Sequence, residues 1–216
     1  MTATKYISLA DLKAYMTSNH IIGTTDDDFL YQAINRAEGQ VDAYCGSRFD
    51  LQTFTLTQPF IVFVDGNGWL KLTAYEVGPV TAVSAVQVLN VGAGETVWKT
   101  ITWDAANGIL LPLVTVPPKP NAWDVMIKPS PPLATAYVGS LYAKWSYTGG
   151  YGTLGGSPDL PDLLKAIVSR LSYWNYMMRE APVGKVVTAE LGLMTIPLSI
   201  PPDIAADLGF WKRSGS

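Results

Sequence analysis

Residues 137–157 read YVGSLYAKWSYTGGYGTLGGS, and the fold class turns on how they are understood. The first half alternates. Tyr137, Leu141, Ala143, Trp145 and Tyr147 fall on one face, and Val138, Ser140, Tyr142, Lys144, Ser146 and Thr148 on the other. This is the period of a strand with one side buried. The second half spells G-x-G-x-x-G from Gly150 to Gly155 and lies one residue short of a P-loop, with Gly156 where the lysine would stand. Read as a phosphate cradle, the stretch predicts a parallel nucleotide-binding sheet. Read as a crossover, it predicts an antiparallel sheet whose last strand leaves for a helix.

The residues that follow favour the crossover. A dinucleotide turn must run directly into a helix whose N-terminus faces the pyrophosphate. Here Ser157-Pro158 and Pro161 delay the helix. An acidic ribose ligand is due about 20 residues on, and that window falls inside a helical stripe at 171–175. The P-loop reading lacks the lysine that reaches the β- and γ-phosphates. No cofactor is expected.

Upstream, residues 51–150 carry the same strand character, with β-branched and aromatic residues, Gly/Pro punctuation and little helical period. Residues 60–64 and 69–72 flank Asp65-Gly-Asn-Gly68 and predict a β-hairpin. Residues 79–91 predict a valine-rich strand, and Asn107-Gly108 a turn between Trp103 and residues 109–111. The proline-rich run 117–132 reads as a surface loop. Several short strands separated by turns predict an inserted antiparallel sandwich or barrel-like module.

Both ends of the chain are helical in pattern. In residues 1–50, Ser8 and Asp11 make a capping box ahead of Leu9, Leu12, Tyr15 and Met16. A second helix is expected from Thr25, with Asp26, Asp27 and Asp28 in its first turn. Its apolar face is Phe29, Leu30, Ala33, Ile34, Ala37, Val41, Tyr44 and Cys45, and Gly46 ends it. In residues 151–216, Asp159 and Pro161 start a helix with the stripe Leu160, Leu163, Leu164, Ile167, Val168, Leu171, Trp174 and Met177, stopped by Pro182. An extended segment, 186–198, leads to a last helix from Pro202 to Gly209. The expected fold is α+β: a bundle of N- and C-terminal helices with the β module between them.

Composition excludes several kinds of chemistry. Of 216 residues, 48% are hydrophobic and 15% charged, against about 25% charged in ordinary soluble domains. So little charge suits a chain that buries surface between subunits. The net charge of −3 arises in residues 1–50, which hold seven acidic and four basic side chains, and no basic stripe of a nucleic-acid binder is visible. No apolar run approaches the ~18 residues that span a bilayer, and the first residues lack the pattern of a secretory leader. One cysteine, Cys45, precludes an internal disulfide and fits a reducing compartment. With His20 as the sole imidazole, neither a metal-ligand cluster nor a catalytic triad can be assembled convincingly. The acidic triplet 26–28 lacks the ligand spacing of a calcium loop and reads as helix capping. Asp159/Asp162 and Asp203/Asp207 are likewise helix-start pairs.

The order of several motifs resembles a known family. They are Tyr6-Ile-Ser-Leu-Ala-Asp-Leu-Lys-Ala-Tyr15, Asp27-Asp-Phe-Leu30 and Tyr44-Cys-Gly-Ser-Arg-Phe49, followed by Pro79-Val80 with Val83 and Val86. Then come Trp145-Ser-Tyr-Thr-Gly-Gly-Tyr-Gly152, Pro161-Asp-Leu-Leu-Lys-Ala-Ile167 and Ile200-Pro-Pro-Asp-Ile204, with Leu208-Gly-Phe-Trp-Lys-Arg213 at the end. Together they resemble the head–tail connector (adaptor) proteins of tailed bacteriophages, whose smaller members are almost wholly helical and lack so large a central part. The resemblance implies a structural virion protein and not an enzyme. It implies a dodecameric ring at the head–tail interface, made in the host cytoplasm, between the portal and a stopper or tail-completion protein. DNA would pass through as cargo, and no membrane is involved.

On this reading Gly209 frees Phe210, Trp211, Lys212 and Arg213 to anchor on the portal or a neighbouring subunit; the alternative is that Trp211 folds back onto its own helix bundle. The alternative function is a carbohydrate- or receptor-binding β module of a virion, with Trp69, Trp98, Trp103 and Trp123 as stacking platforms.

Overall fold

Ser8 and Asp11 satisfy each other as a capping box requires. Asp11 donates its backbone N–H to Ser8 Oγ at 3.1 Å, and Asp11 Oδ2 accepts the Ser8 N–H at 2.9 Å and the Ser8 hydroxyl at 2.6 Å. In the computed structural model this box opens helix α1, Leu9–Thr17, which buries Leu12 and Met16. The structure describes residues 4–17, 26–112, 123–133, 141–152, 160–178, 186–188, 192–194 and 200–213. The chain divides into two compact units, one of Met1–Gly46 with Gly155–Ser216 and the other of Ser47–Leu154.

The first unit is built from helices of both chain ends. Helix α2, Asp27–Cys45, buries Leu30, Ala33, Ile34, Ala37, Val41 and Cys45. Gly46 closes it in the left-handed region at φ 65°, donating to Asp42 O at 2.9 Å, as a C-terminal glycine does. The start differs from the sequence expectation. Thr25 lies outside the described residues, the helix opens at Asp27, and Asp26 makes no side-chain cap. Asp26 Oδ2 instead accepts the Tyr176 hydroxyl at 3.0 Å, while Asp27 pairs with Lys13 at 2.5 Å.

Helix α3, Asp162–Met177, buries Leu164, Ile167, Val168, Leu171, Ser172 and Asn175. Leu163 and Met177, counted in the expected stripe, are about half exposed. The helix also stops at Met177, short of Pro182. Asp159 lies outside the described residues. Helix α4, Pro202–Gly209, buries Ile204 and Leu208.

Polar ties join these helices. Asn175 Nδ2 donates to Gln40 Oε1 at 2.8 Å, Tyr44 donates its hydroxyl to Ala205 O at 3.0 Å, and Arg170 grips Asp203 and Asp207 at 2.5 and 2.7 Å. The extended segment 186–198 contains an antiparallel pair (Val186–Thr188 with Gly192–Met194).

The second unit is antiparallel. Its strands are β1 Gln52–Phe54, β2 Phe60–Val62, β3 Leu70–Thr73, β4 Val80–Asn90, β5 Lys99–Ile101, β6 Ile109–Leu110, β7 Asp124–Ile127 and β8 Leu141–Gly149. One sheet runs β1-β8-β4-β5 with β2 also on β8, and the other runs β3-β7-β6. Among the described residues they do not close into a barrel. The alternation of residues 141–149 is observed except at Ser146: Leu141, Ala143, Trp145 and Tyr147 are buried and Tyr142, Lys144 and Thr148 half-buried on the other face, where Ser146 is buried too. Trp145 stacks on Tyr147 with ring centroids 4.4 Å apart, and Phe54 covers Tyr147 at 5.1 Å. Tyr137, Val138 and Ser140 lie outside the described residues.

One expectation for this unit is corrected and another holds only in part. The run 117–132 is more than a loop, since it contains β7, the centre of the second sheet, and the fully buried Trp123. Its prolines bound the strand from both sides without interrupting it, the one arrangement that leaves its ladder N–H groups intact. The hairpin at 60–72 is a corner between sheets. Its tip is the expected hairpin, with Asp65 N–H donating to Trp69 O at 2.8 Å and Val64 bridging Leu70 antiparallel, but beyond the tip β2 pairs with β8 and β3 with β7. Asn107-Gly108 also turns, Gly108 N–H reaching Asp104 O at 2.7 Å, and β6 then pairs with β7.

Candidate assembly surfaces

The glycine stretch is a strap between backbones. Gly150 donates to Pro79 O at 2.9 Å and Tyr151 to Phe49 O at 2.8 Å, while Tyr151 O accepts Leu51 N–H at 3.1 Å. A phosphate cradle needs its N–H groups pointing at the ligand, and these point at carbonyls. Gly150 has φ +99° and Asp50 O 2.3 Å from where a Cβ would stand, so it is glycine for reasons of backbone geometry. Gly155 and Gly156 lie outside the described residues, as does His20.

The isolated titratable groups are structural. Cys45 is fully buried, and burial first, with the Asp42 charge second, pushes its thiol up to about 12. A thiol so held is not a nucleophile at neutral pH. Glu38 is also buried, where its Oε1 accepts the Lys5 and Tyr6 N–H groups at 2.8 and 2.7 Å. Burial raises its pKa, opposed by those hydrogen bonds. The carboxylate thereby fastens the segment before α1 onto α2, and Tyr6 adds a hydroxyl bond to Asp42. No group of three or more His, Cys, Asp or Glu suited to a metal occurs among the described residues. None of the described helices is long and apolar enough to cross a membrane.

The four residues expected to form a free anchor are separated. Gly209 does end α4, but Trp211 N–H turns back to Leu208 O at 2.8 Å and its indole is fully buried. Arg213 N–H donates to Cys45 O at 3.0 Å, and Lys212 Nζ lies 5.8 Å from the Tyr44 ring centroid. Phe210 alone of the two aromatics faces out, 68% exposed. The signal for this was present: Ile204, Leu208 and Trp211 fall at i, i+4 and i+7, one continuous apolar stripe.

The four tryptophans do not make a platform either. Trp123 is in the core, donating Nε1–H to Ser47 Oγ at 2.8 Å. Trp69 and Trp98 are half-buried, with Lys128 5.9 Å and Lys144 4.6 Å from their rings. Trp103 is half-buried beside its bridge to Pro129.

What the surfaces do offer is apolar side chains in water. On the helical unit these are Phe29, Leu163, Met177 and Phe210; on the sheet unit they include Ile61, Phe63, Tyr75 and Val97. Between α2 and α3 lies a cleft of about 240 Å³, lined by Phe29, Gln32, Ala33, Arg36, Asn175 and Tyr176. Composition had suggested such surfaces without locating them. Which residues stay exposed depends on where neighbouring helices lie, which spacing along one helix cannot specify.

No family model matches the chain, and no curated protein matches it. Solved structures resemble it along its entire length. A chain in the neck of an empty gene transfer agent (GTA) particle, computed with C6 symmetry, matches with a TM-score of 0.54 and 13% identity, over 100% of this chain and 95% of that one. A chain in the virion of a native GTA particle matches with a TM-score of 0.50 and 15% identity, covering 100% and 94%. A chain in the neck of a native GTA particle, computed with C12 symmetry, gives a TM-score of 0.46, 17% identity and the same coverage.

Proposed function

We propose that the chain is a structural protein of a virion neck, an adaptor that forms a twelve-membered ring between a portal and a stopper or tail-completion protein. DNA passes through the ring as cargo, and the role is structural, without catalysis. One observation carries this reading: the fold of a chain from a GTA neck extends over all of this chain and 95% of the other. The sheet unit is included in that coverage, which supports a place for it in the neck architecture despite its absence from smaller helical adaptors. The structure of a GTA neck computed with C6 symmetry favours a ring. The exposed phenylalanines, tyrosine and valines are suitable interface material, because aromatic residues are enriched where proteins meet and charged ones depleted. A net charge of −3 suits a bore that must not hold phosphates.

Mixing the purified chain with the portal of its own particle and imaging by electron microscopy tests the proposal. The expected result is a rotationally symmetric collar of twelve copies on one end of the portal. Portals that remain bare at saturating protein would refute it.

A further inference from the structure

We infer that the cleft between α2 and α3 of one copy receives the exposed Tyr75-Glu76 bend, which lies between β3 and β4, of a second copy. The inference rests on the ring reading above and names a contact that builds the ring. Two observations point to it.

The first concerns charge. Among the described residues, six Lys and Arg side chains sit on carboxylates and three lie over aromatic rings. Arg36 does neither: it is exposed at the edge of the cleft with no carboxylate upon it. In the sheet unit, Glu76 is exposed and its carboxylate has no cation, although its backbone carbonyl accepts Arg48 N–H at 2.9 Å. A guanidinium and a carboxylate make the strongest ordinary ionic hydrogen bond, with two parallel N–H donors meeting two oxygens.

The second is apolar. Phe29 lines the cleft 51% exposed, and Tyr75, next to Glu76, is 57% exposed. Burying one ring against the other removes both from water while the Arg36–Glu76 pair fixes the register. The cleft and the bend are different patches of one chain, so the contact is head-to-tail, the type that forms a ring when its rotation closes.

Covalent capture tests the contact. Chains carrying Arg36→Cys are mixed with chains carrying Glu76→Cys and treated with a short bis-maleimide. Cys45 is buried with its thiol pushed up to about 12, so it does not compete. The mixture should yield a covalent dimer that neither variant gives alone. Absence of that dimer, under conditions where wild-type rings are imaged, overturns the contact and leaves the ring standing. Covalent dimers without any ring on portals keep the contact and refute the ring; absence of both refutes both.

Charge reversal gives an independent reading by sedimentation. Arg36→Glu and Glu76→Arg should each weaken association about tenfold, and the double variant should restore it. Single variants that associate like wild type, or a double variant that melts normally yet does not recover, overturn the inference.

Discussion

Gly150 and Gly39 make opposite demands on the backbone. A side chain at Gly150 would meet Asp50 O at 2.3 Å from a φ of +99°, whereas Gly39, inside α2, has open space around its Cβ position. Gly150→Ala should therefore cost more than about 2 kcal/mol, and Gly39→Ala should gain about 0.5–1 kcal/mol. Calorimetry of the two variants beside wild type checks both signs. Glu38 gives a pH-dependent test. Its folded pKa lies above the ordinary 4.5 because burial disfavours the carboxylate. The folded protein thus holds a proton more firmly than the unfolded chain. The cost of the buried charge is absent below 4.5 and develops as pH rises through the raised pKa, so stability falls upward across that window. Glu38→Gln should flatten this slope, measured as the difference in Tm between variant and wild type from pH 4 upward. A difference that stays constant with pH would dismiss the buried charge as its cause.

At the level of elements, the tail after α4 contains two aromatics with opposite roles. Trp211→Ala empties a fully buried site and should cost about 3–5 kcal/mol. Phe210→Ala removes an exposed ring and should change subunit stability by no more than about 0.5 kcal/mol while reducing occupancy on portals. Thermal melting and electron microscopy of the two variants separate these outcomes. The elements that sequence made legible were those with a local cause: the Ser8–Asp11 box, Gly46 in the left-handed region, and the alternation of β8. Those it concealed depend on distant partners. β7 is four residues between prolines and becomes a strand because β3 and β6 flank it. β2 looks like one arm of a hairpin until Phe60 is seen opposite Ala143. The cleft is of the same kind, because Arg36 and Asn175 come to line one cleft only when α2 and α3 pack.

For the whole molecule, the expectations concern what it leaves alone. A net charge of −3 should keep duplex DNA at a dissociation constant of roughly 10⁻⁴ M or weaker at physiological salt. A fluorescence titration showing micromolar binding with a steep salt slope would expose a basic patch and change the account of the bore. ATP, GTP and NAD should not raise the melting temperature. A ligand at 100 times its dissociation constant adds about 2.7 kcal/mol, so a real site would be plain in the scan.

The helical unit joins Met1–Gly46 to Gly155–Ser216, with the whole sheet unit lying between them in the chain. Order of synthesis therefore matters. When α2 leaves the ribosome, the segment that will form α3 has not been translated, and Leu30, Ile34 and Val41 must wait uncovered on the nascent chain. The sheet unit, contiguous in sequence, can complete itself first and hold the two halves on one tether until the second arrives. Ribosome-stalled chains long enough for residue 155 to have just left the exit tunnel should then resist protease across 47–150 while residues 26–46 are still cut.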